Sequence, residues 1–198
     1  MLHHVGTRRL ETNRLILRQH AMSDADDMYL NWVTDPEVCK FWKWEPHKSI
    51  EETKCLLSGY IEEYQKSDYY HWIIVLKNTS QAIGYIYLAD IDEMQNSVSV
   101  HYALSRGHWN KGLMTEACQC VINFAFTVLG AEKVHSRYHI HNGASGRVLQ
   151  KCGMHAIKTE YRHIADCERI SGDYCFCGVT VQDWSRLKQA DACENAVL

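Results

Sequence analysis

Residues 104–117, Leu104-Ser105-Arg106-Gly107-His108-Trp109-Asn110-Lys111-Gly112-Leu113-Met114-Thr115-Glu116-Ala117, have the makings of an anion seat. An alternating run, residues 97–103, precedes them, and a long apolar-periodic run follows. A strand therefore empties through a Gly-containing loop into a helix start. Such a junction leaves several backbone N–H groups unpaired and aimed one way, at the positive end of the helix dipole. The ligand it suits carries a phosphate or pyrophosphate, and Lys111 adds a cation beside it. The loop lacks the Gly-Lys-Ser/Thr ending of a P-loop and the G-x-G-x-x-G of a dinucleotide fingerprint. A glycine that merely eases the chain into a helix is the plain alternative. A second strand–turn–helix motif follows from Asn142 to Met154.

These motifs need a frame. Residues 10–18 alternate as a first strand, with Leu15 and Leu17 on one face and Arg14, Ile16 and Arg18 on the other. Ser23-Asp24-Ala25-Asp26 and Asp35-Pro36-Glu37 read as helix starts, and Ser49-Ile50-Glu51-Glu52 as a capping box before Leu56, Leu57, Tyr60, Ile61 and Tyr64. The period then changes. Residues 70–76, 82–91 and 98–104 read as three strands of an antiparallel meander. A helix over 113–129 follows, with Met114, Ala117, Val121, Phe124 and Val128 inward. A strand over 133–140, a helix over 145–152 capped by Gly153, and strands over 154–165 and 169–181 complete the order. This is an α/β chain, a mixed sheet with helices on its faces. It reads as a single domain over 7–187, with a polar, aperiodic tail over 188–198 that frays.

Composition narrows the partners. A formal net charge of −3 argues against nucleic acid, and no apolar run is long enough for a membrane span. Nine cysteines form no C-x-x-C pair and no zinc spacing, so with no signal peptide they read as reduced thiols of a cytoplasmic protein. His135, His139 and His141 form no metal-ligand constellation, and no metal is expected. The state is monomer or homodimer.

The order of elements and both motifs resemble the GNAT family of acetyl-CoA-dependent N-acetyltransferases, in the branch typified by the ribosomal-protein acetyltransferases RimJ and RimL. The matching pieces are Leu10 to Arg18, Trp44-Glu45-Pro46-His47, Ile83-Gly84-Tyr85-Ile86, Trp109 to Ala117 and Asn142 to Met154. The resemblance implies that the strand ending near Leu104 splays from the strand over 133–140. The pantetheine arm of acetyl-CoA then pairs with the backbone of Tyr102, Ala103 and Leu104. Its pyrophosphate sits on the loop from Trp109 through Asn110, Lys111, Gly112, Leu113 and Met114 to Thr115. Only Gly112 keeps the broad family loop pattern in full; Trp109 and Met114 depart from it but are familiar in this branch.

The implied reaction moves an acetyl group from a thioester to an amine, by direct attack without an acyl-enzyme. The branch often places a Glu on the strand before the phosphate loop, and Ser99 stands there, a poor base. His101 shares its face, and a neutral imidazole can accept the amine proton; a packed sheet histidine is the alternative. Glu93 and Asp92 are fallback carboxylates in a turn. Ser145 takes the family's Asn-x-x-Ser place and would serve the leaving sulfur, or cap a helix. Asn142 would hold pantetheine amides, or form a turn. Trp44 and His47 lie where relatives shape the acceptor site. The acceptor is a primary amine on a protein N-terminus or a small molecule. The other reading is a sensor that binds acetyl-CoA or CoA and has lost the chemistry; a longer acyl donor is a further variant.

Overall fold

The computed structural model describes residues 1–195, with side chains as far as Gln189. Eight strands form one sheet in the order β1-β2-β3-β4-β5-β6-β8-β7. They are β1 (Leu10–Glu11), β2 (Leu15–Arg18), β3 (Tyr70–Leu76), β4 (Ala82–Asp92), β5 (Ser97–Leu104), β6 (Lys133–His139), β7 (His155–Arg162) and β8 (Gly172–Thr180). Every pairing is antiparallel except β5 with β6. The helices are α1 (Ala25–Met28), which continues as a π-helical turn over Tyr29–Val33, α2 (Pro36–Cys39), α3 (Ile50–Glu63), α4 (Leu113–Thr127), α5 (Gly143–Lys151) and α6 (Val181–Asn195).

The central strands bury both faces, as β3 shows by keeping Trp72, Ile73 and Ile74 fully buried. On one face α4 packs Ala117, Val121 and Phe124 against Trp72, Ile86 and Val100. On the other, Met28, Trp32, Val38 and Leu57 from the first helices cover Ile73, Val75 and Tyr85. The Val, Leu, Ile, Phe and Met side chains among these each contribute about 1.5–3 kcal/mol by leaving water. The caps are local: the Asp35 side chain accepts from Glu37 N–H (3.0 Å) and Ser49 from Glu52 N–H (3.3 Å). β4 and β5 approach so closely at Gly84 that a Cβ there would lie 2.3 Å from the Ala103 carbonyl oxygen.

Three expectations need correction. The first strand is two, because Thr12 turns the chain: its Oγ1 accepts from Leu15 N–H at 3.0 Å, folding β1 onto β2. Val128 is 38% exposed rather than inward, since α4 ends at Thr127 and the chain leaves the helix. The boundary read at 187 falls inside α6. There Thr180 Oγ1 accepts from Asp183 N–H and donates to its carboxylate, and Trp184 packs near Phe126. The following Arg186-Leu187-Lys188-Gln189 are good helix formers without being amphipathic. Residues 196–198 lie outside those described. No described helix is long and apolar enough to cross a membrane.

Candidate active site

β5 and β6 pair only from Ser97↔Lys133 to Ser99↔His135. Beyond that point Ser136 Oγ donates to the Val100 carbonyl at 2.7 Å, and the strands part. Ser105 N–H donates to Ile83 O across the β4 side (2.8 Å), so strand alternation turns the backbone of Ala103 to β4 and that of Tyr102 into the gap. The Leu104 carbonyl is taken by the Trp109 indole N–H at 2.7 Å. Of the three residues expected to pair with an arm, alternation turns Tyr102 and the Leu104 N–H to the gap and Ala103 away from it.

The loop after β5 delivers the amides. Asn110 and Gly112 both adopt positive φ, +59° and +73°, which folds the chain back on itself as α4 begins. Among the described residues, the N–H groups of Asn110, Lys111, Gly112, Leu113, Met114 and Thr115 donate no hydrogen bond within the protein; Glu116 N–H is the first to do so, to Gly112 O. Six free amides at a helix start suit a pyrophosphate. The Lys111 ammonium is turned away, bonded to Gly107 O at 2.8 Å, so Lys111 offers its amide and not its charge. The loop is braced from the turn between β1 and β2: the Glu116 carboxylate accepts from Thr12 Oγ1 (2.6 Å), Arg14 N–H (2.8 Å) and Arg14 Nε (2.6 Å), and Arg14 Nη1 donates to Lys111 O (2.9 Å).

A cleft of about 1100 Å³ runs through the gap, lined by His101, Tyr102, Asn142 and Ser145 near β5 and by Trp42, Trp44, Tyr60, Tyr85 and Tyr87 beyond. His101 and Tyr102 both reach it from opposite faces of one strand, because no strand lies beside them on that side. Burial, with help from Arg137, pushes the His101 imidazole down to about 4, so it is neutral near pH 7. Ser99 is fully buried and does not line the cleft. Its hydroxyl lies 2.8 Å from His101 Nε2 and 2.9 Å from Asp90 Oδ2. Asp90 is absent from the sequence reading. It sits on a bulge, where β4 pairing steps from Ala89↔Ser99 to Asp92↔Ser97, and its φ is +46°. Arg137 Nη1 also reaches Asp90 Oδ2, at 3.2 Å. The fallback carboxylates are occupied elsewhere: Asp92 accepts from Met94 and Gln95 N–H, and Glu93 is bonded by Leu2 N–H and His4.

Ser145 does not cap α5. The Asn142 side chain does, its Oδ1 accepting from Ser145 N–H at 3.2 Å. The Ser145 hydroxyl is 3.1 Å from Tyr102 OH, which donates to the Ser145 carbonyl at 3.0 Å; by proton counting the Ser145 hydroxyl donates to the phenol. Burial raises the Tyr102 phenol well above its ordinary range.

At the far end, Trp42 lies 6.2 Å from Trp44 and 5.7 Å from Tyr85, ring to ring. Trp44 lines the cleft; His47 stands behind it, 5.6 Å ring to ring, with Nδ1 2.8 Å from Thr53 Oγ1. A residue that no local pattern marks, Arg169, fixes this loop. Nη1 donates to the carbonyls of Cys39 (3.2 Å) and Lys40 (2.7 Å), and Nη2 to those of Trp42 (3.1 Å) and Trp44 (3.5 Å) and to Glu45 Oε1 (3.1 Å). No described cysteine lines the cleft, and no group of three described His, Cys, Asp or Glu could hold a metal.

Residues 14–155 match the family model described as acetyltransferase (GNAT) domain. The chain is 29% identical over 144 residues to an uncharacterized N-acetyltransferase, YoaA, of Bacillus subtilis, covering 73% of this chain and 81% of that one. Its fold is similar to a ribosomal-protein-S5-alanine acetyltransferase from Vibrio fischeri (TM-score 0.73, 20% identity, 89% of this chain and 98% of that one). It is also similar to a spermidine N-acetyltransferase from Vibrio cholerae in complex with CoA and spermine (TM-score 0.71, 16% identity, 87% and 99%).

Proposed function

The chain belongs to the GNAT acetyltransferase family, and from that premise we propose that it acetylates a primary amine by direct attack in a ternary complex, with His101 as the base. Acetyl-CoA-dependent N-acetylation is the family reaction. The observation that carries the finer reading lies along β5: the strand that parts from β6 after Ser99 carries a neutral imidazole on an aromatic cleft, and it runs on into a loop with six free amides.

In this reading the amides from Asn110 to Thr115 hold the pyrophosphate and the Tyr102 backbone holds the arm. Trp109 closes the loop through its indole, and Leu104 and Ala103 give the wall its shape. The amine nitrogen bonds the carbonyl carbon while His101 takes its proton; the carbon–sulfur bond breaks and the thiolate leaves, as the Ser145 hydroxyl turns from the Tyr102 phenol to donate a hydrogen bond to it. Holding both reactants in one cleft supplies much of the rate. Trp42, Trp44, Tyr85 and Tyr87 form walls suited to an amine on an apolar or cationic body. The loop sequence and the Asn142–Ser145 spacing favour the RimJ/RimL branch. One structural neighbour is a ribosomal-protein-S5-alanine acetyltransferase and another was solved with CoA and spermine, so both a protein N-terminus and a polyamine belong in the acceptor panel.

The test is release of free thiol from acetyl-CoA with a panel of amines and peptide N-termini. We expect turnover with at least one acceptor, lowered about a hundredfold by His101→Gln, within the range general-base catalysis contributes. Thermal stabilisation by CoA with no turnover for any amine would establish the sensor instead.

A further inference from the structure

We propose that Asp90 is the positioning residue for His101: through the Ser99 hydroxyl it fixes the ring proton on Nε2 and leaves Nδ1 bare for the amine. The proposal rests on the reading of His101 as base and adds what holds that base ready.

Proton counting forces the direction of the chain. Asp90 Oδ2, held by Arg137 Nη1 at 3.2 Å, is a carboxylate oxygen and accepts only. Ser99 Oγ, 2.9 Å away, has one hydrogen and must donate it there; otherwise two acceptors would face each other. Having spent its proton, Ser99 Oγ can only accept across the 2.8 Å to His101 Nε2, so Nε2 carries the hydrogen. Nδ1 makes no hydrogen bond within the protein and is not shut away from solvent, while the ring lines the cleft. The ring plane is held by Tyr87, stacked at 5.1 Å.

The bulge is what makes this possible. On a regular strand, Asp90 would pair one-to-one with Val98. Instead Asp90 and Ile91 together oppose Val98, and the left-handed turn at Asp90 re-aims its carboxylate over Ser99. An L-residue in that conformation is strained, least so for Asp and Asn. A carboxylate from the neighbouring strand thus serves the site where Ser99 leaves β5 without one. The charge arrangement agrees: burial, Arg137 and His135 lower the affinity of His101 for a proton, and Asp90 raises it.

Two variants test the assignment. Asp90→Asn tolerates the same backbone turn but can donate to Ser99 and reverse the chain; Ser99→Ala removes the bridge. Nitrogen-15 NMR of histidine-labelled protein, with His101 identified by its loss in His101→Gln, reads the tautomer without turnover. We expect the Nε2–H form in the parent and its loss in both variants. We also expect kcat/KM for the amine to fall at least about tenfold while KM for acetyl-CoA is unchanged. A parent His101 protonated on Nδ1, or an Asp90→Asn variant matching the parent in tautomer and rate, overturns the assignment. If His101→Gln is impaired but Asp90→Asn is not, the assignment fails alone; if His101→Gln is fully active, the base reading fails and takes the assignment with it.

Discussion

Two regions that meet at β5 are built differently, the loop after the strand from backbone and the cleft beside it from side chains. In the first, six amides from Asn110 to Thr115 donate to nothing within the protein, and the side chains nearby brace the loop. In the other, Trp42, Trp44, Tyr60, Tyr85 and Tyr87 form the walls, and the backbone is what gets braced. Each loop has its own arginine: Arg14 donates to the Lys111 carbonyl and is itself held by Glu116, while Arg169 gathers four carbonyls and Glu45. The difference matters for specificity. A backbone seat changes little when side chains change, so it suits a shared cofactor. An aromatic wall can be rebuilt by substitution, so it suits acceptors that differ between relatives.

The contrast breaks most visibly at Gly112. A β-branched residue cannot easily hold φ +73°, and a Cβ would lie 3.5 Å from Arg14 Nη2. Gly112→Val should raise KM for acetyl-CoA about tenfold or more, following a left-handed penalty of about 1–2 kcal/mol, with KM for the amine unmoved. A steady-state titration of each substrate decides it, and equal changes in both would mean the ends are not independent.

Arg169→Ala is the mirror experiment. Its guanidinium is partly exposed, so the loss is smaller: KM for the amine should rise several-fold while KM for acetyl-CoA holds. Arg169→Lys should not rescue it, because an ammonium cannot reproduce a planar fork over four carbonyls. A changed acetyl-CoA titration would count against the division.

The smallest effect is acid sensitivity. Hydrogen bonds from Thr12 and Arg14 hold the Glu116 carboxyl below its ordinary 4.5, against the opposing effect of burial. A folded-state value below the unfolded one means the brace stabilises fully above about pH 4.5 and is lost as pH falls through the lowered value. The melting-temperature gap between the parent and Glu116→Gln should therefore be open near neutrality and close on acidification. A gap that stays constant below pH 4.5 would remove Glu116 from the account.

What could be read without coordinates follows the same division. The strands over 70–76, 82–91 and 98–104 are legible because burial on a sheet imposes a period of two, and α4 because one face had to be apolar. Ser99 and His101 share a face by the same rule. Asp90 escaped it because a bulge sets two residues against one, so alternation fails where the carboxylate is re-aimed. The broken pattern Ala89-Asp90-Ile91-Asp92 was the available sign. Arg169 escaped for another reason: its partners lie 124–130 residues earlier, and no local spacing announces a contact at that range. Ser145 and Asn142 both suit a helix start, and only the hydrogen bonds say which is the cap.

A continuous sheet is a partition between the two helical layers of a protein. The parting of β5 from β6 after Ser99 makes a doorway in it. Under the proposed function the nucleotide-bearing donor would arrive from the layer of α4 and α5, and the acceptor from the layer of α1 to α3, each keeping to its own side of the threshold. Products can withdraw the way their parents came, without either having to step past the other.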